Sequence, residues 1–307
     1  MQIPKPPLPY RLYLPAEPDS GLLTPFIFAS PHSGCYYPPE FIARTHLSVP
    51  ALSQSADAFV DMLFDRVPTF GATLLTATYG RAYLDLNRSS NELDADMFTP
   101  KLNSDTLINS LKVQAGLGLI PRLVAEDIPI YKHLLPAREA TKRCDTIHQP
   151  YHEKLASLIA ARREQFGTAF LIDCHSMPSE APIRPGMRHR HRSKTADIVL
   201  GDCWGSACDR ELTSMAEEYF ISEGFRVRRN LPYSGGFSTL HYGKPECGVN
   251  ALQIEINRGI YMDEISQTTL PEFSEIQNAL INVSKRIVDT AGQHLVVGSI
   301  QNPRAAE

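Results

Sequence analysis

No stretch of this chain comes near the roughly 20 consecutive apolar residues that a bilayer-crossing helix requires, so a membrane protein is not expected. An excess of positive charge is lacking too: 30 Lys and Arg stand against 34 Asp and Glu, a net charge of −4. Nucleic-acid partners are therefore not expected, because a phosphate backbone is held chiefly by a basic surface. Cysteine is sparse, six in 307 residues, and follows no framework spacing. Reduced thiols in a cytoplasmic protein are the natural reading. Cys203 and Cys208 lie close together, but no second pair completes a structural zinc knuckle. The proline-rich opening, Met1 to Pro18, has no charged n-region followed by an apolar stretch and does not read as a signal peptide. Gly116-Leu117-Gly118 lacks the third glycine and the preceding strand of a dinucleotide fingerprint, and no Gly-x-Ser-x-Gly elbow marks a serine hydrolase.

What is present is a chain with 43% apolar residues, long enough to bury a large core. Extended apolar runs alternate with helix-like runs, which predicts α/β architecture: a mixed, mostly parallel sheet with helices on both faces. Expected strands are 26–30, 72–77, 82–86, 169–173, 198–200, 226–228 and 251–256. Expected helices are 56–66, 104–111, 131–165 (divided by Pro136 and Pro150), 208–223 and 272–292. With no repeat and no polar linker, one catalytic domain over 1–307 is expected, with a proline-rich segment at 1–24 and a flexible tail at 294–307.

Five segments carry the chemistry. Ser30-Pro31-His32-Ser33-Gly34 ends one strand-like run, and Asp173-Cys174-His175-Ser176 ends another. Two histidines leaving apolar strands are what a metal site at the carboxyl edge of an open sheet needs. On a strand, Asp173 shares a face with His175 and can orient its ring, while Cys174 points away into packing. Asp57, read in the first turn of a helix capped by Ser55, is the preferred third ligand, and Glu40 is the rival oxygen donor. In the run Arg81 to Arg88, alternation places Arg81, Tyr83, Asp85 and Asn87 on one face, and Asn87-Arg88 offers an amide beside a guanidinium fork for a substrate carboxylate. In the fifth segment, Val249 to Arg258, Glu255 lies in an apolar strand. There it is either paired with an arginine such as Arg258 or serves as a general base near a metal. The glycine-rich stretches around Tyr233 and His241 offer a loop able to close over a substrate. The basic run Arg184 to Arg192 reads as a surface loop.

Taken together, these segments resemble the N-formylglutamate amidohydrolase family from about Pro25 to about Asp263. The family is similar in fold to zinc carboxypeptidases and aspartoacylase-type deacylases. The resemblance implies one zinc ion and hydrolysis of N-formyl-L-glutamate, a small anionic substrate, to formate and L-glutamate, in histidine degradation. It assigns His32 and His175 to the metal, Asn87 and Arg88 to the substrate carboxylate, Arg81 to the scissile carbonyl and Glu255 to the attacking water. Tyr233 matches a tyrosine on the loop before the late glutamate, and Tyr233 or His241 is available for the second carboxylate. In the peptidase relatives a carboxylate ligand follows the first histidine by three residues, whereas this chain has Cys35 there. The third ligand thus stays open between Asp57, Glu40 and Cys35. An N-acyl amino acid deacylase or carboxypeptidase of the same chemistry is the nearest alternative reading, and a non-catalytic metal- or amino-acid-binding protein is a more distant one.

Overall fold

The computed structural model describes residues 6–15, 23–179 and 196–301, with backbone only from 292 onward. The basic run Arg184 to Arg192 lies outside the described residues. A seven-stranded sheet forms the frame. Its strands are β1 (Tyr10–Tyr13), β2 (Phe26–Ser30), β3 (Thr73–Ala77), β4 (Ala169–Met177), β5 (Ile198–Gly201), β6 (Val227–Arg229) and β7 (Val249–Asn257). Their order across the sheet is β1-β3-β2-β4-β7-β5-β6. The pairs β2–β3, β2–β4, β4–β7 and β5–β6 are parallel, and β1–β3 and β5–β7 are antiparallel. This is the mixed, mostly parallel sheet expected from the alternating pattern.

Strand alternation sends two sets of side chains to opposite faces. Phe28, Leu74, Ile172, Cys174, Ile254 and Ile256 pack on one face against helices α2 (Arg210–Ser222) and α4 (Phe273–Gln301), which bring in Leu212, Ala216, Phe220, Leu280 and Ile287. Each such buried side chain contributes about 1.5–3 kcal/mol through removal from water. On the other face Ile27, Leu75, Leu171 and Ala251 meet Tyr151, Leu155 and Ile159 of helix α1 (Gln149–Phe166). That second face is apolar only in its first half. Toward the carboxyl ends of β4 and β7 it continues as Asp173, His175, Gln253 and Glu255, with Glu255 level with His175 and Gln253 level with Asp173.

Several local expectations need correction. Residues 82–86 form no strand: Tyr83 and Leu84 both donate to the Gly80 carbonyl, and the segment turns back on itself. The expected helix over 56–66 shrinks to a single turn, Val60–Leu63, because Phe59 sits at φ 65°. Ser55 does not cap it, and its hydroxyl donates to the Leu52 carbonyl instead. Residues 104–111 supply only two short turns, Ser104–Thr106 and Leu111–Gln114. Pro150 does not divide the long helix. A π-helical segment, Cys144–His148, joins Arg138–Arg143 to α1, and the extra residue in that turn accommodates the missing proline N–H. The backbone of α4 is helical through Gln301.

Candidate metal centre and active site

His32 leaves β2 through a turn whose path depends on Gly34. A Cβ on Gly34 would meet the Tyr79 carbonyl oxygen at 2.2 Å, so close backbone approach, not a left-handed turn, demands glycine there. The Asp57 amide donates to the His32 carbonyl at 3.0 Å, which ties the loop bearing the acid to the end of β2. Asp57 is thus held in a loop and not in a helical first turn. Its Oδ2 lies 3.2 Å from His32 Nδ1 and 3.0 Å from His175 Nδ1, and the two Nδ1 atoms are 3.1 Å apart. The three residues are 1%, 2% and 3% exposed. Among the described residues they form the one group of His, Cys, Asp and Glu side chains with metal-ligand spacing.

The outward-facing atoms of this trio all have partners. His32 Nε2 is 2.7 Å from Asp85 Oδ1, and Arg258 Nη2 donates to Asp57 Oδ1 at 3.0 Å. His175 Nε2 is 3.0 Å from Asp173 Oδ1, an ion-pair distance without hydrogen-bond alignment. A carboxylate hydrogen-bonded to His32 Nε2 and another at ion-pair distance from His175 Nε2 stand behind the two imidazoles, the outer arrangement a metal-ligating histidine ordinarily has. Burial would raise the Asp57 pKa, but hydrogen bonds from His175 and His32 outweigh it and hold it well below the usual value. Burial likewise opposes charge on His175, and Asp173 overcomes it, raising the imidazole well above its ordinary pKa. A positive charge is therefore stabilised where these donors converge. Two imidazole nitrogens and one carboxylate oxygen form a donor set that suits a divalent cation such as zinc. Glu40 is exposed beside Lys142 at 3.3 Å and Cys35 is exposed, so neither reaches the cluster.

Glu255 stands next to His175 on the neighbouring strand, 7% exposed. Burial pushes its pKa up to about 7, against the pull of His175, Arg81 and Arg258. Gln253 donates to Glu255 Oε1 at 2.8 Å, while its own carbonyl oxygen accepts from the Gly236 amide at 2.7 Å. The anticipated structural pairing of Glu255 with Arg258 is not what forms, since Arg258 serves Asp57. Glu255 keeps the character of a proton acceptor poised near neutrality.

The 81–88 segment reaches the site through its turns. Arg81 Nε donates to Asp85 Oδ2 at 3.0 Å and Nη1 to the Ser55 carbonyl at 3.4 Å. Tyr83 leaves the expected common face and lies under the Arg143 guanidinium, 4.0 Å from its ring centre. Asn87 is buried, with Nδ2 3.1 Å from His175 Nε2 and Oδ1 accepting from the Ser238 amide at 2.7 Å. Arg88 donates to the carbonyls of Leu117 and Asn87, and its Nη2 keeps only a 3.7 Å ion pair with Asp85. Tyr233 is half-buried within the influence of Glu255, Arg258, Asp57 and Arg81, and burial raises its phenol so that it stays protonated. His241 lies apart from the trio, stacked on Phe237 in helix α3 (Phe237–Tyr242) with 4.9 Å between ring centres.

Sequence reasoning missed the roles of Asp85 and Arg258 and passed over Lys112. Asp85 was visible only as one member of a supposed strand face, and it proves to be the carboxylate behind His32. Arg258 holds Asp57 across 201 residues of sequence, and no local pattern announces that link. Lys112 is exposed as a residue, yet burial of its ammonium and the charges of Arg88 and Arg81 lower its pKa, with Asp85 and Glu255 also nearby. A cavity of about 890 Å³ lined by Asp94, Arg122, Tyr131 and His133 lies elsewhere and contains none of these groups.

Comparison with known proteins identifies the family. Residues 24–262 match the N-formylglutamate amidohydrolase family. An N-formylglutamate deformylase of Pseudomonas aeruginosa is 30% identical over 243 residues, covering 78% of this chain and 83% of that protein. One from Pseudomonas putida is 30% identical over 252 residues, covering 81% and 85%. Among solved structures, the N-formylglutamate amidohydrolase of Ralstonia eutropha JMP134 superposes with a TM-score of 0.85 at 32% identity, covering 93% of this chain and 99% of that one. The shared fold and the extent of the match lead to one conclusion: the chain belongs to the N-formylglutamate amidohydrolase family.

Proposed function

We propose that this protein hydrolyses N-formyl-L-glutamate to formate and L-glutamate, using one zinc ion held by His32, Asp57 and His175. The observation that carries this reading is the convergence of three buried donor atoms beside a buried glutamate. When bound, the cation would supply Lewis acidity and make the attacking water easier to deprotonate. Glu255 takes a proton from the attacking water and returns it to the departing amine nitrogen. Its pKa near 7 suits both halves of that transfer. Arg81, fixed by Asp85 and the Ser55 carbonyl, presents its remaining nitrogen to the oxyanion that forms at the formyl carbon. Arg88 Nη2 and Asn87 address one substrate carboxylate. Tyr233, as a protonated phenol, Lys112 and His241 are the candidates for the second. The six unpaired thiols suit a reducing, cytoplasmic setting.

Parallel assays with N-formylglutamate, N-acetylaspartate and a short peptide, combined with elemental analysis, test this reading. Preferred formate release from N-formylglutamate by zinc-containing protein is the expected result. Faster turnover of either other substrate would transfer the assignment to a deacylase or peptidase.

A further inference from the structure

Two histidines outside the metal cluster, the buried His148 and the half-buried His152, are unused in the reaction described above. The π-helical segment ends at His148, and His152 follows one turn later in α1. Their rings lie 4.3 Å apart. His148 Nε2 donates to the Arg88 carbonyl and His152 Nε2 to the Leu86 carbonyl, both at 2.9 Å. Those two carbonyls flank Asn87. A carbonyl oxygen only accepts, so each Nε2 carries its proton, and burial, the main influence on both rings, lowers their pKa values, that of His152 to about 3.

The second nitrogen of His152 makes a different connection. Nδ1 is 2.9 Å from the Tyr242 hydroxyl, which donates to it, and the Tyr242 ring stacks on the imidazole. Tyr242 is the last residue of α3. The other end of that helix supports the general base: the Gly236 amide donates to Gln253 Oε1 and Gln253 donates to Glu255, while the Thr239 hydroxyl donates to Asp173 Oδ2 at 3.1 Å with Gln253 Oε1 at 3.4 Å. The contact between this helix and the loop is tight, since a Cβ on Gly236 would come within 2.2 Å of Asn87 Nδ2.

We propose that His152 is a positioning residue that sets the substrate-binding loop and the helix supporting Glu255 in register with each other. One nitrogen holds Leu86, next to Asn87 and Arg88, and the other holds Tyr242, so a single neutral ring spans both halves of the site. The π-helical turn immediately before it is part of the device, because π segments recur where a helix must aim side chains at a functional site. This inference rests on the active-site reading above.

The two arms are separable by isosteres. His152→Gln keeps a donor near the Nε2 position, and His152→Asn keeps an acceptor near Nδ1. Loss of one buried hydrogen bond is worth about a factor of ten. His152→Gln is expected to lower kcat about tenfold with little change in KM. His152→Asn should raise KM about tenfold with kcat closer to wild type, and His152→Phe should show both effects. All values are taken per folded, metal-loaded molecule. Deuterium uptake, which needs no substrate, should rise over 85–88 in the Asn variant, over 236–242 in the Gln variant and over both in the Phe variant. Variants that lose thermal stability while kcat, KM and the two uptake patterns stay at wild-type values would overturn the proposal. Failure of the wild-type protein to turn over N-formylglutamate would instead defeat the functional reading, and the uptake pattern would still decide the role of His152.

Discussion

The two faces of the central sheet come from the same strands, yet they end differently. Along β4, Ile172 and Cys174 point to one face and Asp173 and His175 to the other; along β7, Ile254 and Ile256 alternate with Gln253 and Glu255. The first face is sealed by α2 and α4 along its length. The second is sealed by α1 only in its first half, and its polar half is covered by the 81–88 segment and α3. The difference shows how a close-packed core can hold charge. Every buried carboxylate and imidazole on the polar half has a partner, which removes the penalty of an unpaired buried ion. Among the described residues Glu255 has no cation in direct contact, and burial pushes it toward neutrality.

Substitutions on the two faces should therefore separate chemistry from stability. The largest effect expected is that of Glu255→Gln, which should retain metal and lose about 10²–10⁴-fold in kcat; near-normal turnover would remove the general-base role. Asp57→Ala should abolish stoichiometric metal in elemental analysis, while Glu40→Ala and Cys35→Ser keep it; full loading of the Asp57 variant would return the third ligand to those two. On the apolar face, Ile254→Ala should cost about 2–5 kcal/mol in denaturant unfolding, with kcat per folded molecule preserved. A kcat loss comparable to that of Glu255→Gln would erase the distinction between the faces. Arg88→Ala should raise KM about tenfold or more with a smaller change in kcat, and an unchanged KM would take it out of the substrate clamp.

A subtler test uses pH. In the metal-free protein Glu255 binds its proton with a folded pKa of about 7, above the ordinary 4.5. Between those values the folded state holds a proton that the unfolded chain has released, so stability falls as pH rises through that window. Glu255→Gln removes this dependence. The variant's stability advantage over wild type should grow between pH 4.5 and pH 8, by up to about 3 kcal/mol. A constant advantage would mean that Glu255 is not desolvated.

Six of the seven strands of the central sheet, and both histidines, were legible in the sequence as extended runs, whereas the edge strand Tyr10–Tyr13 lies inside the opening read only as proline-rich. The period of two also placed Asp173 behind His175 and Cys174 away from it. Residues 81–88 defeated the same rule. Their alternation mimics a strand, but the Gly80 carbonyl captures two amides and Asp85 accepts from the Asn87 amide at 2.9 Å, so local hydrogen bonds win over extension. Asp57 was found for a partly wrong reason: the acid was expected in a helical first turn and instead sits in a loop tied to His32. The links from Arg258 to Asp57 and from Lys112 to the arginines depend on tertiary packing, which leaves no periodic trace in the chain.

Stepwise addition of zinc to metal-stripped protein, followed by formate release from N-formylglutamate, tests the metal site most directly. Activity is predicted to be absent at the start, to climb linearly and to level off at one equivalent per chain. Full turnover before any cation is added, or none after saturation, would contradict a single metal centre built from His32, Asp57 and His175.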